Sequence, residues 1–179
     1  MKINKVILAI GFGGLLLTGC TESHYVNPNP ENMESGPDLN VYENYELDED
    51  QLMADVLDVG LDPDNYPMAA GIDFGLQMDK GIINIAAIVK DGTSTEDALW
   101  YGSETIKVLN DQIASQDLSY ELSSDTSYGG VFEKNDAHLD IYYAEQFEND
   151  EEPFFTVVIP AGVYMTFDPA DVKESNAEN

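Results

Sequence analysis

The chain has 179 residues, with seven lysines and no arginine against 35 acidic residues, a formal net charge of −28. Phosphate contacts need Lys and Arg, so this balance excludes nucleic acid as a partner and disfavours anionic lipid headgroups. The single cysteine, Cys20, excludes an intrachain disulfide framework and a cysteine-cluster metal site, so an apolar core must hold the fold.

Lys2 and Lys5 precede an apolar run from Val6 to Leu17, which closes on Leu17-Thr18-Gly19-Cys20. Basic, apolar and small residues in that order mark a secretory leader. Twelve residues fall short of the roughly 20 that a spanning helix needs. Gly11, Gly13 and Gly14 weaken it further as a helix, each by about 1 kcal/mol against alanine. The Leu-Thr-Gly-Cys ending resembles the lipobox of bacterial lipoproteins. The resemblance implies cleavage after residue 19 and a covalent diacylglyceryl group on Cys20. Two acyl chains meet the requirement for stable anchoring, which one chain does not. It also implies an outward-facing, lipid-anchored place at the bacterial cell membrane. Thr21, not an acidic residue, follows the cysteine, so in a cell with two membranes the family's sorting rule permits the outer one.

Removing the two leader lysines takes the net charge from −28 to −30. Residues 20–47 hold Pro28, Pro30 and Pro37, with many Asn and Glu and no hydrophobic period; they read as a flexible acidic tether. Residues 48–170 are expected to form one domain, and 171–179 a polar tail.

Asp48 suits an N-cap, with Gln51 in capping-box position and Leu52, Met53, Val56 and Leu57 on one helical face; Gly60 and Pro63 stop the helix. Ile72, Phe74, Leu76 and Met78 alternate with small or polar residues, which predicts a strand with one buried face. A turn at Asp79-Lys80-Gly81 leads into Ile82 to Val89, apolar enough for a central strand. Thr93 or Ser94 caps a long helix with Leu99, Gly102, Ile106, Leu109 and Ile113 in one stripe, Gly102 allowing close approach to a sheet.

Beyond it, Tyr128 to Glu133 and His138 to Tyr143 flank a turn and read as a hairpin. An acidic loop, Glu148 to Pro153, precedes a β-prone run from Phe154 to Ile159, and Val163, Met165 and Phe167 alternate again. The order is helix, two strands, helix, then three or four strands. It predicts an α+β fold: one mainly antiparallel sheet with a long helix packed on one face.

Tyr128-Gly129-Gly130-Val131-Phe132, Asp140-Ile141-Tyr142-Tyr143-Ala144 and the run from Ile159-Pro160-Ala161-Gly162 to Phe167 together resemble part of the GyrI-like effector-binding family. The resemblance covers about forty residues and implies a hairpin, a further strand and a binding role for hydrophobic or cationic small molecules. In that family a second helix and strands follow and supply an acidic ligand residue. This chain has no counterpart after Phe167, so no ligand residue carries over.

No nucleophile elbow, phosphate loop or dinucleotide fingerprint is present in the mature region. His24 lies in the tether. His138 and Asp140 share a strand face, where a carboxylate tunes an imidazole, yet that face lies opposite Leu139, Ile141 and Tyr143 and reads first as a solvated one. Calcium suits oxygen-rich loops. Asp58, Asp62 and Asp64 (with Asn65) form one candidate group, and Asp150, Glu151 and Glu152 another. Neither has EF-hand spacing, so solvated acidic loops stand ahead of a metal site.

The strand aromatics Tyr142, Phe154 and Tyr164 are the candidate ligand-binding residues. Adjacent pairs such as Tyr142-Tyr143 cannot face one way, so some members point away from the helix-covered face. The leading expectation is a membrane-anchored, non-catalytic module for a cationic or hydrophobic ligand or a basic protein, with a homodimer as one arrangement. Two other classes stay open: a secreted hydrolase using carboxylates with His138, and an envelope spacer whose acidic surface is itself the function.

Overall fold

The computed structural model describes residues 47–170 and 172. The leader, the lipobox with Cys20, the tether to residue 46 and the tail apart from Val172 lie outside the described residues. Helix α1 (Glu49–Gly60) is followed by β1 (Ala69–Gln77), a short 3-10 turn, β2 (Ile82–Val89), α2 (Thr95–Gln116), β3 (Asp136–Tyr143), α3 (Ala144–Glu148) and β4 (Phe155–Ile159). The fold is α+β, with one four-stranded sheet in the order β1-β2-β3-β4.

Helices α1 and α2 start where the sequence predicts. The Asp48 carboxylate accepts from Gln51 N at 3.0 Å and opens α1. Ser94 Oγ accepts from Asp97 N at 3.1 Å and opens α2. Each satisfies one backbone donor that has no partner within its helix. Gln51 does not close a reciprocal box; its amide turns to Asp55, and Asp48 N donates instead to Gln116 Oε1 at the end of α2.

The β1–β2 and β3–β4 pairs are antiparallel, while β2 and β3 run parallel. A parallel pair needs a long crossover, and α2 supplies it. The register sorts every strand residue onto one of two faces. Ile72, Ile83, Ile85, Ala87, Leu139 and Ile141 face the helices and are buried with Leu52 and Val56 of α1 and Leu99, Ile106, Leu109 and Ile113 of α2. Fully burying an aliphatic side chain of this size contributes roughly 1.5–3 kcal/mol, which makes this layer the source of the fold's stability. Gly102 brings α2 onto β3: a Cβ there would fall on the Ile141 side chain.

Among the described residues two strands follow α2, not three or four. Tyr128 and Gly129 are irregular and Gly130 to Lys134 form turns, so the predicted hairpin with β3 is absent. The cause is α2. Asn110, fully buried, accepts from Val131 N at 3.0 Å and donates to the Glu121 carbonyl at 3.0 Å, taking backbone groups that a strand would use. Gly129, at φ 97°, completes the turn. Val163 to Phe167 also form no strand; their apolar side chains pack individually, Phe167 on Phe155 with ring centres 5.4 Å apart. The packed body extends slightly past its expected limits, since Leu47 and Val172 lie against the core.

Candidate binding cleft

Helices α1 and α2 cover one face of the sheet. On the other face the register aligns Asp73, Ala86, Asp140 and Thr156 in one row, and Gly75, Asn84, His138 and Val158 in the next. His138 and Asp140 therefore share this face, opposite the fully buried Leu139 and Ile141. Asp140 Oδ1 accepts from Thr156 Oγ1 at 2.7 Å, which fixes its carboxylate toward β4. The small Ala86 and Gly75 leave a shallow depression of about 110 Å3 bordered by Asp73, Asn84 and Asp140.

At the end of this face, Tyr142 and Phe147 meet edge to face, ring centres 5.3 Å apart and planes at 76°. Their cleft, about 330 Å3, is completed by Asp150, Glu151, Glu152 and Pro153. That volume is at the lower end of small-ligand pockets. Local sequence builds it. Tyr143 N donates to Gln146 Oε1 at 3.1 Å, and Glu145 N donates to Asp91 Oδ1 at 3.1 Å, so α3 is fastened at its start to the loop after β2. Asn149 N, Asp150 N and Glu151 N return to the carbonyls of Glu145, Phe147 and Gln146. Asp150 takes φ 54°, a left-handed conformation that Asp tolerates better than most residues. The acidic loop thus folds back beside Phe147, which is 39% exposed.

Burial raises the Tyr142 phenol above its ordinary pKa, and the carboxylates of Asp140 and Glu152 add to the effect. The ring keeps its proton at neutral pH and offers a hydroxyl and a π face beside three carboxylates. Aromatic faces and carboxylates attract the same class of group, a cation.

Tyr142, a residue singled out by its sequence, lies in this cleft with Asp150, Glu151 and Glu152. The other two aromatics lie elsewhere. Phe154 stacks on Tyr143 at 4.6 Å, and Tyr164 packs on Tyr128 at 4.9 Å with the Lys107 ammonium 5.9 Å from its ring centre. The three do not form one groove. Asp62, in the turn after α1, accepts from Asp64 N at 3.0 Å and from Asn65 Nδ2 at 2.7 Å, ordering its own loop. Among the described residues, no group of three or more His, Asp or Glu side chains is placed to hold a metal ion, whether at Asp58, Asp62 and Asp64 or at Asp150, Glu151 and Glu152. Phe147 and α3 had no sequence signal beyond the exposed aromatic itself, because five residues are too few to show a helical period.

Comparison with known proteins finds no matching family model, no similar curated sequence and no similar solved structure.

Proposed function

We propose that the chain is a bacterial surface lipoprotein whose domain binds a cationic group without catalysing a reaction. Residues 1–19 are the leader and Cys20 carries the diacylglyceryl anchor. Residues 20–47 space the domain from the membrane, and the working surface is the cleft of Tyr142 and Phe147.

The observation that carries the reading is the meeting of two rings with the acidic run Asp150 to Glu152 in a cleft of about 330 Å3. An ammonium or guanidinium there has a π face on one side and carboxylates on the other. Cation–π contacts contribute about 0.5–1 kcal/mol when exposed and about 2 or more when water is excluded. A charge-assisted hydrogen bond to a carboxylate adds about 1.5–3 kcal/mol. Together they come to about 2–5 kcal/mol, which supports weak, reversible capture at roughly millimolar concentration.

The test uses the mature protein in a non-ionic detergent, titrated by calorimetry with lysinamide and tetramethylammonium. Saturable binding that the Tyr142→Ala, Phe147→Ala double variant abolishes supports the reading. Equal binding by that variant overturns it. The anchor is tested separately by the mass of the N-terminal peptide, which should begin at a lipid-modified Cys20. A Cys20→Ser variant should leave the membrane fraction.

A further inference from the structure

The cleft stands at one end of a larger surface that the small-cation reading leaves unused. The uncovered sheet face presents, along β3, Asp136, His138, Asp140 and Tyr142, one residue from each successive two-residue step. In a strand such residues repeat at about 6.6–6.8 Å. Asp73 adds a carboxylate two strands across from Asp140, at about 9.5 Å by strand spacing, over the floor made by Ala86. Asp136 and Asp140 each accept a hydrogen bond on Oδ1, from Ala161 N at 2.8 Å and Thr156 Oγ1 at 2.7 Å, so their carboxylates are held in place. No lysine lies in any of the four strands. Between the acids stand Ile82, Ala86 and the 53% exposed Val158, apolar surface for the stems of long side chains.

A sheet with one solvated face usually alternates apolar residues toward the core with polar residues toward solvent. Here the charged strand residues Asp73, Asp136 and Asp140 share one sign, His138 stands between the last two, and Lys80 reaches the face at its far end through Gln77. A second copy of this chain, carrying the same negative surface, is repelled from it. An extended peptide repeats its own side chains at the same 6.6–6.8 Å step as β3. We infer that this face binds an extended cationic peptide segment with Lys or Arg at alternate positions, one basic side chain entering the cleft of Tyr142 and Phe147 and the next lying at Asp140. The inference rests on the cleft reading and extends it from a single cation to a peptide partner.

The experiment compares two seven-residue peptides of equal charge on the mature lipidated protein: one with lysine and serine alternating, one with four lysines in a block followed by three serines. Lysinamide is titrated in parallel and reports the cleft alone. The alternating peptide should bind at least fivefold more tightly than the block peptide. Asp73→Asn with Asp136→Asn should weaken it about five- to tenfold, the scale of two partly exposed ion pairs, while leaving lysinamide unchanged, since neither residue lines the cleft. Asp58→Asn with Asp64→Asn removes the same charge from the far side and should have no effect beyond twofold. Equal binding of the two peptides, or equal weakening by the Asp58 and Asp64 pair, overturns the inference even if lysinamide still binds. Loss of lysinamide binding in the wild type overturns the cleft reading instead.

Discussion

The side-chain amide of Asn110 occupies the place that a Cβ on Gly129 would take. One residue is in the middle of α2, the other in the turn that leads to β3. Their close packing, with the Asn110 bonds to Glu121 O and Val131 N, holds the chain around Gly129 out of a strand. Asn110 also donates to Asp111 Oδ1 at 2.9 Å, and Asp111 in turn accepts from Ser123 N at 2.7 Å and Ser123 Oγ at 2.9 Å. The loop between residues 121 and 131 is thus fastened to the helix by side chains of two consecutive residues.

Removing that fastening should be costly. Asn110→Ala leaves the buried Val131 N–H without its acceptor, a loss of about 1–3 kcal/mol. Gly129→Ala meets both the amide and the strain of φ 97°. Urea unfolding should show both variants destabilised, and limited proteolysis should cut first between residues 121 and 131. Wild-type midpoints for both would contradict the fastening.

A second pair of glycines separates close packing from open space. Gly102→Val pushes new atoms into Ile141 and should cost about 1–3 kcal/mol by overpacking. Gly75→Ala has nothing within 4 Å of the added carbon and should stay within about 0.5 kcal/mol of wild type. Thermal unfolding of the two variants side by side distinguishes them.

The buried tyrosines predict an alkaline limit. Burial raises the phenols of Tyr101 and Tyr128 above their ordinary value of 10.0. A raised value in the folded state means that the protonated phenol is the favoured folded form. Its stabilising effect is complete below about pH 10 and is lost as pH climbs through the folded value, because the unfolded chain releases its proton first. Absorbance of phenolate at 295 nm should show a fraction of tyrosines that ionise late and together with unfolding. Tyr101→Phe removes one of them and also the 3.0 Å bond to the Gly60 carbonyl, at a cost of about 1 kcal/mol.

Salt should stabilise the domain. The chain carries −28 net, and among the described residues one ion pair forms, Lys107 with Glu104 at 2.8 Å. Repulsion between the remaining acids is screened once the Debye length falls to about 10 Å at 0.1 M. The melting temperature should rise between 10 and 500 mM sodium chloride. A fall would show that attractive pairs dominate instead.

Much of this was legible in the chain. Asp48 and Ser94 carry oxygen caps before apolar helical periods, and Ile82 to Val89 is apolar enough that a central strand was the natural reading. The stripe through Leu99, Gly102, Ile106, Leu109 and Ile113 is buried as its spacing implied. What failed depended on long-range contact. Tyr128 to Glu133 has β-prone residues, but Asn110, about twenty positions earlier, takes its backbone. Val163 to Phe167 alternates correctly, yet Tyr164, Met165 and Phe167 pack as separate plugs and Val163 stays exposed. The site is half visible in the sequence: Tyr142 points to a ligand, and the acids from Asp150 to Glu152 point to a metal. Only the turn of α3 places them around one cleft with Phe147.

The cation is proposed to bind at this cleft and not to the acidic surface as a whole. Backbone amide shifts of the 15N-labelled mature protein, followed during a lysinamide titration, test it most directly. Saturable shifts centred on Tyr142, Phe147 and Asp150 to Glu152, diminished but not erased by 0.3 M salt, are expected. Shifts that grow linearly and spread equally to Asp58, Asp64 and the other exposed acids would contradict it.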